Sequence, residues 1–484
     1  MSASNPETQS ASGPSDATGY ESPDVERPAS ASPTLSQLEK ETPTGIDAAD
    51  HDPYAALRLP AYRLYGSGWI ISTIGQQIQT VAIEWDIYNR TASHNYGIHP
   101  LTAMALVGLV LAVPVIVLAI PAGMMADRYD RRRIIQGSAV VSAIASLALA
   151  GLSHWDGPLK LMYLFLFLGA IGYSIGWTAR SALLPQIVPA EIFSNAATWN
   201  SSGFQIAAMA GPALGGAILV KSTTAAYLIA ACATLAFAIM LIPVKVHRVT
   251  RAREPLTFHN LAAGFRFVWS TKIILATITL DLFAVLFGGA TALLPAYARN
   301  ILHVGKVGFG WLRAAPAVGA LLMGMWLAHR PPMQKAGRDM LLAVAGFGLA
   351  TIAFGLSHSF TLSFLMLLAT GACDNISVVV RHTLVQMLTP DAMRGRVSAV
   401  NNIFIGASNE LGAFESGLVG RVFNEVVSVV SGGIGTVIVV GAVALIWPQV
   451  RRFGSLHDAR PVEMPPPKDA SALAKPATTP QSIS

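Results

Sequence analysis

Residues 180–189 read RSALLPQIVP, and residues 381–390 read RHTLVQMLTP. The two stretches lie 201 residues apart, and the same offset, without a gap, pairs Asn200 with Asn401, Gly211 with Gly412 and Gly216 with Gly417. It also pairs Gly123-Met124 with Gly324-Met325. A repeat that holds its register over this length indicates two copies of one structural unit.

Long apolar segments, separated by short polar breaks, run through both copies. The chain is 52% hydrophobic and only 12% charged, whereas soluble proteins carry about 25% charged residues. Each segment has about the 20 residues that a helix needs to cross a bilayer. We predict twelve such spans, near 65–88, 101–122, 134–153, 160–180, 196–220, 224–244, 272–297, 309–328, 340–357, 360–381, 397–421 and 427–447. The predicted fold is an all-α membrane protein with two pseudo-symmetric six-helix halves, an architecture found among transporters.

Both ends of the chain are polar. Residues 1–57 are rich in Ser, Pro and Thr and carry ten acids and two bases. Residues 451–484 are also rich in Pro, Ala and Ser. Such segments bury too little apolar surface to fold, so we predict a disordered tail at each end. The first tail has no basic region followed by an apolar run, and it is therefore not read as a signal peptide.

Between the tails, the longest polar break divides the spans into two sets of six. The predicted halves are 58–244 and 272–450, and the linker between them is 245–271. Within the linker, Leu261, Phe265 and Val268 fall on one helical face. This spacing predicts a short helix that lies at the membrane interface.

Basic residues mark one side of the membrane. Outside the first tail the chain has 31 bases and 17 acids. The polar segments predicted on the same side of the membrane as the N-terminus hold most of these bases. Basic residues are retained on the cytoplasmic side of a membrane. We therefore expect both termini in the cytoplasm. Because the bilayer explains the basic excess, no nucleic-acid partner is predicted.

Several kinds of active site are missing from the sequence. The only two cysteines, Cys232 and Cys373, lie in apolar runs, which excludes a disulfide framework and a cysteine-based metal site. The chain has no H-E-x-x-H pair, Walker motif or G-x-S-x-G elbow. We predict that the protein is not an enzyme and has no cofactor or metal. Without a nucleotide site, its transport must be driven by a gradient.

The break after the second span carries a compact charged motif. It contains Gly123, Asp127, Arg128, Arg131 and Arg132. A carboxylate among fixed bases can hold neighbouring helix ends together, although a simple positive-inside loop remains an alternative. At these residues the chain resembles the major facilitator superfamily, whose pattern is G-x-x-x-D-R-x-G-R-R.

This resemblance implies that the loop locks the two halves on the cytoplasmic side, with Asp127 facing the region 396–398. The match has one departure, because Asp130 stands where the general pattern has glycine.

The fifth span contains Gly211, Pro212, Gly215 and Gly216. Proline removes a backbone hydrogen bond and glycine allows close packing, so the residues alone predict a bend or a close helix crossing. The spacing also resembles the G-P-x-x-G-G signature of the superfamily's exporters.

A narrower resemblance covers about residues 55–450. The stretches that carry it are Trp85–Tyr88, Asp281-Leu-Phe, Leu293–Ala298, Arg394–Ala399 and Ser408–Gly412, which are similar to the enterobactin-exporter-type branch of drug:proton antiporters. It implies proton-linked efflux of siderophores, drugs or other amphipathic molecules across a bacterial inner membrane. We expect the protein to be a monomer. The mid-membrane arginine of helix four in the wider antiporters is missing, and Arg180 lies too near the end of that helix to replace it.

Carboxylates inside the spans are the candidates for proton coupling, because ionisable groups there usually face a wet cavity or a partner. Asp281, about ten residues into span seven, is the first candidate, although it could instead be a fixed partner for a neighbouring helix. Asp374 in span ten is the second. Glu84, near the outer end of span one, is equally compatible with a solvated acid at the rim. Arg381 is expected at the inner interface.

Other polar and aromatic residues are candidates for lining the substrate cavity. They are Gln76 and Thr80 on span one, Tyr173 and Trp177 on span four, and Thr277 on span seven. The aromatic pair could stack on an aromatic or cationic ligand, but a tryptophan near a span end is more often an interfacial anchor. Arg313 is expected to pair with one of the acids, and the sequence does not select which.

The preferred function is therefore a proton-coupled exporter that works by alternating access. A nutrient importer or lysolipid facilitator of the same fold is the first alternative. A membrane sensor or scaffold that transports nothing is the second.

Overall fold

The computed structural model describes residues 52–94, 96–246, 258–331 and 333–455. The predicted tails therefore lie mostly outside the described residues. The middle of the predicted linker, 247–257, also lies outside them.

Twelve helices of 16 or more residues make up most of the described chain. They are α1 (Pro60–Ser93), α2 (Pro100–Arg128), α3 (Arg131–His154), α4 (Leu159–Ile187), α5 (Phe193–Lys221), α6 (Thr223–Met240), α7 (Lys272–Phe287), α8 (Lys306–Ala328), α9 (Ala336–Gly355), α10 (Phe360–Leu388), α11 (Asp391–Val422) and α12 (Glu425–Ile446). Short helical turns continue α7 as far as Ile301.

Ten of the helical segments are long and apolar enough to cross a membrane. The other two, α1 and α11, are the longest, with 34 and 32 residues. Their composition is more polar, which is the pattern expected for helices that line an aqueous path.

The repeat seen in the sequence is also present in the first and last residues of the helices. α4 and α10 both have 29 residues. Each begins and ends 201 positions from the other, so the offset that aligns the two sequences also aligns the two helices. Arg180 and Arg381 consequently occupy equivalent positions, each seven residues before the end of its helix.

Order extends into both predicted tails. A short helix, Ala55–Arg58, precedes α1. The Pro53 carbonyl accepts hydrogen bonds from Asn195 Nδ2 at 2.8 Å and from Trp199 Nε1 at 3.0 Å, both on α5. At the other end, the Gly454 carbonyl accepts a hydrogen bond from the amide of Ala336 at 3.1 Å.

The bundle has two ends, named here by the chain. The end at which α1 begins and α12 ends is the terminal face, and the other end is the opposite face. The charged loop between α2 and α3 lies at the terminal face. The two sets of six helices are joined by α2 packing on α11 and by α5 packing on α8.

Glycines bring the backbones of the two halves into contact toward the opposite face. A Cβ built on Gly216 of α5 would lie 2.8 Å from the Cα of Gly310 on α8. A Cβ built on Gly108 of α2 would lie 2.7 Å from the carbonyl oxygen of Glu410 on α11. Any larger side chain at these two positions would force the helices apart, so the close crossings require glycine.

The predicted linker helix is present as Phe258–Ser270. Val268 is buried, and the ring of Phe265 stacks on Phe404 of α11 with 6.4 Å between the ring centroids. The Leu261 side chain lies outside the described residues. The helix thus rests on the terminal end of α11.

Candidate functional site

The loop between α2 and α3 ties together helices of one half. Arg131 lies 3.8 Å from Asp127 and donates to the Ala182 carbonyl on α4 at 3.0 Å. Arg132 donates to the carbonyls of Ile242 and Val244, just after α6, at 3.1 Å each. The Asp127 carboxylate therefore has a partner within its own half.

Asp130, which stands where the general loop pattern has glycine, has a local structural role. Asp130 is the N-cap of α3, and its side chain accepts a hydrogen bond from the amide of Arg132 at 2.9 Å. An aspartate at this position satisfies one of the free amides at the helix start. Gly123 is buried on the last turns of α2, whereas Arg128 is exposed.

The motif on α5 packs in two directions. Gly211 and Gly215 lie against α1, where a Cβ on Gly215 would sit 3.2 Å from the Cβ of Val81. Pro212 and Gly216 lie against Gly310 of α8. The motif is therefore a close crossing both within one half and between the halves.

An ion pair bridges the halves beside this crossing. Arg313 Nε of α8 lies 3.2 Å from Glu84 Oε2 of α1, and the two side chains are 27% and 10% exposed. Glu410 of α11 interacts electrostatically with both. The rings of Trp85 and Phe309 meet next to the pair, with centroids 5.5 Å apart. One cation thus lies among two carboxylates from different halves.

Asp281 is ion-paired within the second half. Its carboxylate contacts the Arg381 guanidinium of α10, and the two side chains are 9% and 3% exposed. The expectation that Arg381 lies at the inner interface is wrong, because its side chain is buried against Asp281 of α7. Thr277 is also buried, and its hydroxyl donates to the Ile274 carbonyl of the same helix at 2.9 Å. The Thr277 side chain is therefore packed between helices.

Asp374 has a different environment. It is the central residue of α10, yet its side chain is exposed. With Asp281 and Ser377 it lines a small cavity against α7 and α9. Within the described residues, no hydrogen bond or ion pair is made by the Asp374 carboxylate.

Gln76 and Thr80 on α1 form hydrogen bonds along their own helix. Gln76 Nε2 lies 3.3 Å from the Ser72 hydroxyl, and the Thr80 hydroxyl donates to the Gln76 carbonyl at 3.1 Å. Both side chains are partly exposed. They are therefore accessible groups on α1, with at least one local hydrogen bond each.

The rings of Tyr173 and Trp177 on α4 both lie near the side chain of Arg180. Tyr173 and Trp177 are 40% and 44% exposed, and the Arg180 guanidinium lies 5.7 Å from the centroid of each ring. Tyr173 also lies within the range of the Glu410 charge on α11, across the halves. Sequence reasoning set Arg180 aside as a helix-end residue, although its alignment with Arg381 in the repeat was a signal for an equivalent buried position.

Solved transporters share this fold. A bacterial homolog of the human lysosomal transporter Spinster, in an inward-facing and occupied conformation, aligns over 83% of this chain and 98% of its own, with a TM-score of 0.59 and 18% identity. A POT family transporter in complex with a thioalcohol conjugated peptide aligns over 80% of this chain and 96% of its own, with a TM-score of 0.64 and 14% identity. These likenesses confirm the predicted all-α transporter fold.

Sequence relatives point to the same superfamily. The enterobactin exporter EntS of Citrobacter koseri is 29% identical over 403 residues, which are 81% of this chain and 93% of that protein. The enterobactin exporter EntS of Escherichia coli O1:K1 is 28% identical over 339 residues, which are 68% of this chain and 80% of that protein. The family model described as transmembrane secretion effector matches residues 51–478. The chain therefore belongs to the transmembrane secretion effector family of the major facilitator superfamily, and it is a multi-pass membrane transporter rather than an enzyme.

Proposed function

We propose that this transporter is a proton-coupled exporter of amphipathic small molecules, siderophore-like or drug-like, that works by alternating access. The observation that carries the proposal is the ion pair between Glu84 of α1 and Arg313 of α8, with Glu410 of α11 beside it. A carboxylate that holds two halves together can also release them when it takes up a proton.

The coupling step follows from the charges. With Glu84 ionised, its attraction to Arg313 favours the state in which the halves touch toward the opposite face. A proton on Glu84 removes that attraction, and Glu410 is placed to compete for the same guanidinium. Proton exchange at this cluster would therefore shift the balance between halves that touch and halves that part at the opposite face, and this links protonation to alternating access.

Asp281 and Asp374 remain proposed members of the proton path. Protonation of Asp281 would break its pair with Arg381, so its titration is linked to packing of α7 against α10. Among the described residues, Asp374 has no ion-pair partner, and its exposed side chain lines the adjoining cavity. Its carboxylate is thus better placed to exchange protons without a rearrangement of its neighbours.

We propose further that the terminal face is cytoplasmic and that the membrane is a bacterial inner membrane. The charged loop between α2 and α3 and the linker helix lie at the terminal face, and bases are retained in the cytoplasm. The halves touch toward the opposite face, so the proposed orientation makes this an inward-facing arrangement. The gate role of Asp127, Arg128, Arg131 and Arg132 then belongs to the outward-facing state. A monomer suffices for this cycle.

The proposed substrate class is supported by the relatives, whose names describe them as enterobactin exporters. Facilitated import of a nutrient or movement of a lysolipid is the alternative for the same fold. Accumulation of the compound by intact cells would favour import. A scaffold without transport is the second alternative, and its activity would depend on residues 1–55.

The proposal is tested in acidified inside-out vesicles that contain the protein and a pH-sensitive dye in the lumen. Catecholate siderophores and lipophilic cations are added one at a time, with empty vesicles as the control. Substrate-dependent alkalinisation of the lumen is expected for the wild type and should be lost in Glu84→Gln. No pH change with any compound, in vesicles that contain folded protein, would contradict proton-coupled export.

A further inference from the structure

The two arginines that the internal repeat makes equivalent have different electrostatic environments. Arg180 on α4 and Arg381 on α10 are both buried, with exposures of 7% and 3%. Arg381 is neutralised by Asp281 on α7. Among the described residues, no carboxylate lies within 4 Å of Arg180, and its only hydrogen bond is from Nε to the Gly176 carbonyl at 3.2 Å.

The sequence of α1 explains the difference. Asp281 lies on α7, the first helix of its half, and α1 is the first helix of the other half. From Pro60 to Ile83, α1 contains no aspartate or glutamate. The first half therefore has the buried arginine of the repeat but not its acidic partner.

A buried charge without a counterion is costly, and inside a membrane protein such a charge usually faces a cavity or a ligand. Arg180 lies beneath two exposed rings, Tyr173 and Trp177, at 5.7 Å from each centroid. Tyr173 lies within the range of the Glu410 charge on α11, in the other half. The cluster of Tyr173, Trp177 and Arg180 thus faces the space between the two halves.

We propose that this cluster binds the anionic group of an aromatic substrate. The guanidinium offers a planar fork of donors that fits a carboxylate or a catecholate. The two rings offer faces on which an aromatic group can stack. This proposal rests on the proposed export function, and it narrows the substrate class to aromatic anions.

The binding test uses the full chain in nanodiscs of zwitterionic lipid, with no pH gradient. The probes are 2,3-dihydroxybenzoate and its neutral amide, which share the ring and the hydroxyls but differ in charge. Isothermal titration should give the wild type a preference of about tenfold or more for the acid, the range expected for hydrogen bonds between charged groups. In Arg180→Gln the preference should disappear, while the weaker binding of the amide should stay the same.

Two further variants keep the test specific. Arg63→Gln removes the same charge from an exposed position on α1 and should leave the preference unchanged. Arg180→Lys keeps the positive charge but loses the planar set of guanidinium donors. This variant should retain part of the preference for the acid over the amide. A wild type that binds acid and amide equally, or an Arg180→Gln protein that keeps the preference, would overturn the proposal.

A lipid headgroup is the other source of an anion at this site. If phosphatidylglycerol in the nanodisc displaces 2,3-dihydroxybenzoate from the wild type, the site belongs to lipid and the proposal is overturned. Failure of the export function would look different, because vesicles would then show no pH change even though the charge preference depends on Arg180.

Discussion

Glu84 Oε2 on α1 lies 3.2 Å from Arg313 Nε on α8, and this one ion pair joins the first helix of one half to the second helix of the other. Glu84→Gln should therefore weaken closure toward the opposite face and remove the response to a pH gradient. Counterflow of labelled substrate at equal pH on both sides should remain. Full pH-driven transport by this variant would exclude Glu84 from coupling.

The charge-reversed protein, Glu84→Arg with Arg313→Glu, provides the control. Each single reversal places two like charges together and should abolish transport. The double variant restores an attractive pair and should recover part of the transport rate. If both single reversals transport normally, the pair has no role in joining the halves.

Asp281→Asn should lose uphill transport and should also lower the stability of the protein. It leaves the buried Arg381 without its counterion, and breaking a buried pair on one side costs about 3–5 kcal/mol. The check is thermal unfolding of the purified protein. Asp281→Asn with Arg381→Gln should recover most of the lost stability, and an unaltered unfolding temperature in the single variant would contradict the contact.

Gly216→Ala should slow transport. The added methyl group would press on the Gly310 backbone of α8, and overpacking costs about 1–3 kcal/mol in the state where the halves touch. Gly441→Ala is the matched control, because α12 has open space at that position. Equal substrate fluxes in the two variants would show that the crossing does not limit the cycle.

Asp130→Ala should destabilise the start of α3 by about 1 kcal/mol, since the cap to the Arg132 amide is lost. Asp130→Gly restores the residue of the general loop pattern and should cost only a few tenths of that amount. Chemical unfolding of both variants measures the difference. A larger loss with glycine than with alanine would show that the side-chain cap is not what stabilises this turn.

The sequence was sufficient for the fold because its signals are local or periodic. Apolar runs set the helices, and the offset of 201 residues is reproduced by α4 and α10. The α5 motif was predicted to form a bend or a close crossing, and the structure has the close crossing. Glycine and proline have the same backbone consequences in any context.

The pairing of charged side chains was not predictable in the same way. Arg313 and Glu84 are separated by 229 positions, and several acids were equally available to that arginine. Arg381 was misplaced because distance from a helix end does not reveal whether a neighbouring helix covers the side chain. The roles of Asp281, Asp374 and Glu84 in proton movement therefore stay predictions, whereas the structure specifies the arginine partners of Asp281 and Glu84.

The crossing of Gly216 and Gly310 has a consequence for repeated opening and closing. The contact is made by backbone atoms, so no side chain has to be fixed in one rotamer when the halves meet. Fixing a long side chain costs up to about 2 kcal/mol of conformational entropy, and glycine has none of this to lose. In the proposed transport cycle, the two halves can therefore part and rejoin at this point without a search among side-chain rotamers.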